Sequence, residues 1–408
     1  MSTLYKQCIT ELQERVYRRG INYSLEDFLS NLNYVNNPHL QLPKCIHVAG
    51  TNGKGSTSAI LNQALIDSGF KVGLFSSPHI SSYTERIQIN NTPITESSFC
   101  DYFYQATESG HFQTEFEILT VMAFLFFRDK NPDFVIFETG LGGRFDTTNV
   151  IQPILSIITK IDFDHQAILG NTIEAIASEK AGIIKENTSA ITISTQKEEV
   201  ITVLKKEAKL RSAKLFIEEP LQEVPIFSAL KGSFQKENIA LAKQAFLYLM
   251  PTLKEDEKRF NQSLAKVKHW GRFTQLSEKP KILCDGAHNK SAIEALLNEV
   301  KQQFPKNKVE IILGIHNKKD APGILNPIID AKIKTRYCYF DKQLAFSTQD
   351  ITKQFPGIES IKLEDIPSHI AQNRSTVFII TGSIYFISEL KPLLEFHFVE
   401  RPLIENRN

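Results

Sequence analysis

The chain has 408 residues, of which 42% are hydrophobic, and this length exceeds what a single hydrophobic core usually serves. Its 47 basic and 46 acidic residues give a formal net charge of +1, which excludes the strong positive field that gathers nucleic acid or an anionic membrane surface. We therefore expect two domains, with neither nucleic acid nor a membrane as a partner.

The five cysteines are scattered along the chain without CxxC or CxxH spacing. This pattern excludes a disulfide framework and a structural zinc site. The first residues lack the apolar core of a signal peptide, and no apolar stretch is long enough to span a bilayer. We expect a cytoplasmic protein.

The chain begins with apolar residues at helical spacing. They are Leu4, Cys8, Leu12 and Val16, followed by Leu25, Phe28, Leu29 and Leu32. The pattern predicts a helical lead-in over residues 1–44, interrupted by a turn at residues 20–24.

A glycine-rich loop, residues 50–57 (GTNGKGST), joins a short apolar run to a predicted helix over residues 58–65. Its glycines let the backbone approach a ligand closely, Lys54 supplies a cation, and the hydroxyls of Ser56 and Thr57 can reach phosphate or Mg²⁺. Backbone N–H groups at the start of the helix complete an anion cradle. The spacing is shorter than in the common P-loop. A flexible turn would explain the glycines but not the lysine and hydroxyls, so the loop predicts a nucleotide phosphate site.

Three further apolar runs predict strands of the same parallel sheet, namely residues 71–75, 133–138 and 154–161. Polar side chains follow or close these runs: Ser77, Glu138 and His165. Ligands collect at the carboxyl ends of strands in open α/β sheets, and these groups form an acceptable set for Mg²⁺ or Mn²⁺. Each residue taken alone has an equally simple structural explanation, so the metal hypothesis depends on their coincidence at neighbouring strand ends.

Two predicted helices carry further candidates. Residues 115–127 are apolar enough for a core helix, with Phe116 at its entrance and Glu117 where the helix dipole favours an anion. Residues 172–184 form an amphipathic helix with Lys180 near its apolar face. An exposed lysine is the default interpretation, and the alternative is that Lys180 points back toward the sheet edge.

The alternation of strand and helix restarts after residues 269–273. Its strands are expected at residues 282–284, 309–313, 336–340 and 377–380. This spacing predicts a second, smaller α/β domain of about four parallel strands with right-handed crossovers. The loop from Asp285 to Asn289 follows the first of these strands. We expect it to face the phosphate site across a cleft, although a plain Asp-Gly turn explains it equally well.

In combination these motifs resemble the folylpolyglutamate synthase/dihydrofolate synthase family, within the Mur-ligase superfamily. The resemblance runs from about Ile21 to Ile387 and is carried by His47–Thr57 (HVAGTNGKGST), Ser76–Ile89 (SSPHISSYTERIQI), Phe137–Asp146 (FETGLGGRFD), Asp164–His165, Glu179–Ile183 (EKAGI), Gly232–Asn238 (GSFQKEN), Gly271–Phe273 (GRF), Asp285–Asn289 (DGAHN) and Thr381–Ser383 (TGS). It implies a P-loop-type ATP-binding domain with a mostly parallel sheet over residues 1–272. It also implies a smaller Rossmann-like, glutamate-ligase-type α/β domain over residues 273–408.

The resemblance implies a role for individual residues. Those implied to bind ATP are Asn52, Gly53, Lys54, Gly55, Ser56, Asn238, Arg272 and Asp285. Those implied to bind Mg²⁺ are Ser77, Glu138, His165 and Lys180, of which Lys180 binds after carbamylation. The resemblance also implies that a monovalent cation such as K⁺ can bind. The stretches implied to line a pterin pocket contain Thr114, Phe116, Glu117, Phe145, Asp146 and Thr147. The groups implied in catalysis are Lys54, Lys180, Arg272 and His288.

The implied reaction is ATP-dependent addition of L-glutamate to dihydropteroate or to a reduced folate through an acyl phosphate, by a monomeric enzyme. The chain departs from the family at His269-Trp270, where Trp-Pro is usual, at Lys290 after DGAHN, and at the Asn22-Tyr23-Ser24 turn. These departures concern the pteridine substrate more than the ligase chemistry. Two alternatives stay open: a Mur-type ligase with another acceptor, and a nucleotide-binding protein without turnover, against which Glu138, His165 and Lys180 argue.

Overall fold

The computed structural model describes residues 2–16, 24–250 and 254–399. The expected turn at residues 20–24 includes Asn22 and Tyr23, which lie outside the described residues. The chain forms two compact units: Met1–Ala229 with Phe234–Lys268, and Leu230–Ser233 with His269–Asn408. The boundary at residues 272/273, expected from the sequence for the two catalytic domains, stays a prediction.

The first unit is a sheet covered by helices. Its strands are β1 (Lys44–Ala49), β2 (Val72–Phe75), β3 (Ile87–Ile89), β4 (Thr92–Pro93), β5 (Phe134–Glu138), β6 (Pro153–Ile158), β7 (Ser189–Ile193) and β8 (Leu215–Glu218). Its helices are α1 (Thr3–Val16), α2 (Leu25–Asn31), α3 (Lys54–Asp67), α4 (Glu96–Thr107), α5 (Glu115–Lys130), α6 (Gln166–Leu169), α7 (Ile173–Ala181), α8 (Glu198–Leu210), α9 (Gln235–Leu249) and α10 (Lys254–Ser263).

The eight strands follow the order β4-β3-β2-β5-β1-β6-β7-β8. The six from β2 to β8 are parallel, whereas β3 and β4 add an antiparallel edge. The expected mostly parallel sheet is therefore confirmed. All five residues of β5 are buried, as expected for a parallel strand covered on both faces.

Two apolar clusters lie side by side on one face of this sheet. One joins α1, α4 and α5 to the sheet through an aromatic group in which Phe124, Phe127 and Phe137 meet edge to face. The other packs α7 and α8 beside it on the same face, because Cys45 of the first cluster and Ala49 of the second are four residues apart in β1 and so point to the same side. The helical lead-in is confirmed, but Leu4 and Leu29 are exposed because Tyr5 and Phe28 occupy the buried faces of their helices.

The second unit has its own sheet of six strands in the order β13-β12-β11-β14-β10-β9. They are β9 (Thr274–Glu278), β10 (Lys281–Cys284), β11 (Val309–Leu313), β12 (Lys334–Cys338), β13 (Glu359–Ile361) and β14 (Val377–Thr381). Its helices are α11 (Lys290–Gln303), α12 (Ala321–Asp330), α13 (Thr348–Gln354), α14 (Ile366–Gln372) and α15 (Ile384–Phe398). The expectation of about four strands was too low, because the edge strands β9 and β13 are polar and only partly buried.

Some boundaries also differ from expectation. Helix α3 begins at Lys54, four residues before the expected start, because Gly53 already serves as its N-terminal cap with φ of 93°. Strand β6 ends at Ile158 rather than Ile161, where the chain turns toward the glycine-rich loop. Within residues 2–16, 24–250 and 254–399, no helix combines the length and apolar character that crossing a bilayer requires.

Candidate functional site

The carboxyl ends of four neighbouring strands define one edge of the first unit. In the order β2-β5-β1-β6, Phe75 pairs with Phe137, and Val48 pairs with Glu138. On the other side of β1, Ala49 pairs with Ile158. The loops that follow these strands therefore leave the sheet side by side, as the sequence predicts.

The glycine-rich loop is fixed to its neighbours by its own backbone. The N–H groups of Thr51 and Asn52 both donate to the Lys160 carbonyl, at 2.9 and 3.1 Å. A Cβ atom on Gly53 would lie 2.1 Å from Oδ1 of Asn238, so this positive-φ position also has no room for a side chain. The loop is thus formed in advance of any ligand, with Asn238 packed directly against it.

The start of α3 offers groups that suit a phosphate. The hydroxyl groups of Thr57 and Ser58 are buried, and neither has a hydrogen-bond partner among the described residues. A buried polar atom without a partner costs about 1–3 kcal/mol, so such hydroxyls indicate a ligand or water at this position. The helix dipole and the free N–H groups of the first turn add partial positive charge. The loop therefore fits the nucleotide phosphate predicted from the sequence.

Two lysines of this unit converge on one backbone oxygen. Nζ of Lys54 lies 3.1 Å from the Gly50 carbonyl oxygen, and Nζ of Lys180 lies 2.9 Å from the same atom. Lys180 is only 4% exposed, so it adopts the second of the two orientations considered, toward the sheet edge. Burial first, and the charge of Lys54 second, lower the pKa of the Lys180 ammonium to about 7.

Of the predicted metal ligands, the structure brings Ser77 and Glu138 together. The Ser77 N–H lies 3.4 Å from Oε2 of Glu138, whose side chain is buried at the end of β5. The next residue, Thr139, has a buried hydroxyl without a partner among the described residues. Hydroxyl and carboxylate oxygens are the hard donors that Mg²⁺ prefers.

His165 lies further from its strand than expected. It precedes α6, with φ of 52°, and its ring nitrogen Nε2 is 3.8 Å from Oδ1 of Asp164. Its side chain is 39% exposed. Across the described ranges, no group of three or more histidine, cysteine, aspartate or glutamate side chains has the arrangement of a metal site. The ligand set of Ser77, Glu138, His165 and Lys180 stays a prediction.

Asp146 has a structural role that the sequence did not reveal. Its carboxylate is 5% exposed and accepts hydrogen bonds from the N–H groups of Gly140 and Leu141, each at 2.9 Å. Its other oxygen accepts from the N–H and hydroxyl of Thr148, and that hydroxyl contacts Nε2 of His47 at 2.8 Å. Burial raises the pKa of Asp146, an effect that these hydrogen bonds partly offset. Asp146 thus holds the loop that follows Glu138.

Most residues predicted to line a pterin pocket also have partners within the protein. Thr114 and Glu117 cap α5 reciprocally, since each side chain accepts from the other's backbone N–H, at 3.2 and 2.7 Å. The Thr147 hydroxyl contacts Thr120 at 2.7 Å. Phe116 packs on Phe75 and would meet any side chain placed at Gly140, whereas Phe145 is 59% exposed. A substrate role for these residues stays a prediction.

The second unit gathers Arg272, Asp285 and His288 around one loop. The buried Asp285 carboxylate accepts from the N–H groups of Phe273 and Ala287, at 2.8 and 2.9 Å. Burial raises the pKa of Asp285, and the nearby Arg272 charge partly offsets this. Nδ1 of His288 is 2.7 Å from the Gly286 carbonyl oxygen. These contacts form a tight turn, which agrees with the simple structural explanation and leaves the ATP role of Asp285 a prediction.

Comparisons with known proteins match both compact units of the chain. The Mur ligase middle domain matches residues 48–246, and the Mur ligase, glutamate ligase domain matches residues 271–383. Dihydrofolate synthase/folylpolyglutamate synthase of Bacillus subtilis is 35% identical over 394 residues, covering 86% of this chain and 90% of the relative.

Solved structures give the same result. E. coli FolC in complex with DHPP and ADP has a TM-score of 0.85 and 25% identity, and the match covers 97% of this chain and 98% of that one. The bifunctional folylpolyglutamate synthase/dihydrofolate synthase from Yersinia pestis, complexed with AMPPNP and Mn ion, has a TM-score of 0.85 and 26% identity, with 96% and 98% covered.

Proposed function

Because the chain belongs to the folylpolyglutamate synthase/dihydrofolate synthase family of Mur ligases, we propose that it is an ATP-dependent carboxylate–amine ligase. It adds L-glutamate to dihydropteroate, to the γ-carboxylate of reduced folates, or to both. The observation that carries this proposal is the preformed loop at the start of α3. There Lys54 and Lys180 meet the Gly50 carbonyl, and the buried hydroxyls of Thr57 and Ser58 have no partner in the described part of the chain.

The proposed reaction has two steps. A carboxylate oxygen of the acceptor attacks the γ-phosphorus of ATP in line, so ADP leaves and an acyl phosphate forms. The amine of glutamate then attacks the acyl carbon, loses a proton and displaces inorganic phosphate. Lys54 and the N–H groups of α3 stabilise the charge that develops on the phosphoryl oxygens, and positioning supplies much of the remaining acceleration.

Ser77 and Glu138 fit a divalent cation, since the Ser77 backbone lies against the Glu138 carboxylate and their side chains carry hydroxyl and carboxylate oxygens. We place His165 and modified Lys180 in the same ligand set, and the Mn ion in the Yersinia pestis relative supports a divalent cation in this family. When bound, Mg²⁺ neutralises charge on the phosphates. A monovalent cation such as K⁺ belongs to the proposal as well.

The surroundings of Lys180 support the proposal that it is carbamylated. With a pKa of about 7, a large part of the amine is neutral at physiological pH and is able to attack carbon dioxide. The N–C bond forms, the amine loses a proton, and a carbamate anion replaces a cation. This change replaces repulsion between Lys180 and Lys54 by attraction. Incorporation of ¹³C-labelled carbon dioxide at Lys180, detected by NMR, tests the step.

The remaining proposals concern the second unit and the working state. Arg272 stabilises the anionic tetrahedral intermediate, Asp285 contacts ATP, and His288 acts at the reacting centre. The enzyme works as a cytoplasmic monomer on small molecules, without nucleic acid or a membrane.

An acceptor panel tests the function. Phosphate release is measured with ATP and glutamate in the presence of dihydropteroate, tetrahydrofolate, or a muramoyl peptide, with acceptor-free reactions as the control. The proposal predicts release with at least one pterin acceptor and none with the muramoyl peptide. Turnover with the muramoyl peptide alone would identify another Mur-type ligase, and ATP binding without turnover on any acceptor would indicate a nucleotide-binding protein.

A further inference from the structure

Residues 76–86, which we call the β2–β3 loop, connect β2 to β3. The second residue of this loop is the proposed metal ligand Ser77. Sequence reasoning assigned a role to Ser77 only. The carboxylate of Glu85 accepts hydrogen bonds from three consecutive N–H groups, those of Ile80, Ser81 and Ser82, at 2.8, 2.9 and 3.0 Å. One side chain therefore fixes the turn at the middle of the loop.

The same turn is fastened to the protein core. The Ser82 hydroxyl is 2.9 Å from the hydroxyl of Tyr5, a residue of α1 that is 1% exposed. The Ser82 side chain also accepts from the N–H of Thr84, which completes a capping box with Glu85. The loop is consequently held in one conformation at both its centre and its end.

Arg86 closes the loop and determines the state of a histidine. The Arg86 side chain is 5% exposed, lies over the Tyr83 ring, and has Glu115 as its ion-pair partner at 3.4 Å. Its Nε donates to Nδ1 of His79 at 2.9 Å. Because a guanidinium only donates hydrogen bonds, Nδ1 of His79 accepts and carries no proton. The ring proton of His79 must therefore be on Nε2.

This leaves one N–H group ready to donate. The His79 ring packs on Tyr83, with 4.1 Å between the ring centres, and the residue is half-buried. No described residue forms a hydrogen bond with its Nε2. Arg86 and Tyr83 thus hold the His79 ring two positions after Ser77, and its neutral Nε2–H donor is not used by any residue that the structure describes.

We propose that His79 is a substrate-binding residue whose Nε2–H donates a hydrogen bond to an oxygen of the acceptor carboxylate, with Arg86 and Glu85 as positioning residues. This inference depends on the proposed ligase function and adds a carboxylate contact to it. A neutral donor orients a carboxylate while leaving more of its negative charge available for attack on phosphorus than a cation would. The ATP phosphates have separate donors at the start of α3, so the ATP interaction does not depend on His79.

Three variants at position 79 separate the donor from the ring. His79→Gln places an amide N–H near the position of Nε2, His79→Asn places it near Nδ1, and His79→Phe retains only the ring. We expect KM for the acceptor to rise about tenfold or more in the Asn and Phe variants, with most of the affinity retained in the Gln variant. KM for ATP should change less than about twofold. His397→Gln, on the exposed face of α15, is the control and should match the wild type.

A second readout does not require turnover. In ¹⁵N-histidine-labelled protein, NMR should show His79 protonated at Nε2, and Arg86→Met should remove this preference. Calorimetry should show weaker acceptor binding to folded His79→Phe than to the wild type. Protonation at Nδ1 in the wild type, an unchanged acceptor affinity in folded His79→Phe, or an effect on ATP alone would overturn the role of His79.

Failure of the proposed ligase function would give a different experimental result from failure of the His79 contact. A wild-type protein that binds acceptor through His79 but forms no amide with glutamate would contradict the ligase proposal and leave the His79 contact intact. An active wild type whose His79→Phe variant has normal kinetics would contradict only the His79 contact.

Discussion

Lys180 donates a hydrogen bond to the Gly50 carbonyl across 2.9 Å, and so joins α7 to the nucleotide loop. The nearby Lys54 ammonium shares that carbonyl at 3.1 Å. Two cations at one neutral oxygen repel each other in a buried setting, which is unfavourable unless a ligand or a modification changes the charge. The arrangement therefore indicates a site prepared for anions.

Replacing Lys180 tests how much its buried charge lowers the free energy of unfolding. Lys180 has a pKa of about 7 in the folded protein and 10.5 as its ordinary value, so the unfolded chain binds more protons between these limits. Stability must therefore rise with pH across that window, and the full penalty applies below about pH 7. We expect Lys180→Met to stabilise the protein by several kcal/mol at pH 6 and by much less at pH 9.

Urea denaturation in buffers free of carbon dioxide measures this difference. Lys206→Met, on the exposed face of α8, is the matched control and should show no such dependence on pH. Equal stabilisation by Lys180→Met at both pH values would show that loss of charge is not the cause.

The glycine at the start of α3 offers a test of the cradle. Gly53→Ala places a Cβ 2.1 Å from Oδ1 of Asn238 at φ of 93°. Gly69→Ala has nearly the same φ, 91°, but meets no atom within 4 Å. We expect the Gly69 variant to lose about 1 kcal/mol of stability and to keep its ADP affinity, while the Gly53 variant loses ADP affinity at least about tenfold. Calorimetric titration with ADP distinguishes them, and equal ADP affinity in both would contradict the cradle.

Asp146 is expected to act through the loop it holds. Asp146→Asn replaces one acceptor oxygen by an amide donor. Either the N–H groups of Gly140 and Leu141, or the N–H and hydroxyl of Thr148, then lose their acceptor. We expect a loss of about 2 kcal/mol in the free energy of unfolding and faster amide hydrogen exchange at residues 140–141. Asp101→Asn, on the exposed face of α4, is the control. Normal exchange at residues 140–141 in Asp146→Asn would contradict this role.

The sequence predicted what local patterns determine. The glycine-rich loop was identified because its glycines, lysine and hydroxyls are adjacent in the chain, and the inner strands were identified because a buried parallel strand is almost entirely apolar. Strands β9 and β13 were missed for the opposite reason, since edge strands keep polar residues. The early start of α3 was missed because it depends on the conformation of Gly53.

Contacts between distant segments explain what the sequence did not provide. The packing of α7 against the sheet determines that Lys180 points toward the sheet edge, and no local sequence pattern predicts this direction. Asp146 and Glu85 lie inside motifs that sequence reasoning quoted, but their partners are backbone N–H groups, which every residue except proline carries. The orientation of His79 similarly requires the position of Arg86.

The most direct experiment compares glutamate-dependent ADP release by the wild type and by Lys54→Ala, with Lys206→Ala as the surface control. If the loop at the start of α3 holds the nucleotide phosphates, Lys54→Ala should lose at least about a hundredfold in turnover while its unfolding midpoint stays close to that of the control. Near-normal turnover in folded Lys54→Ala would contradict the assignment of the nucleotide to this loop.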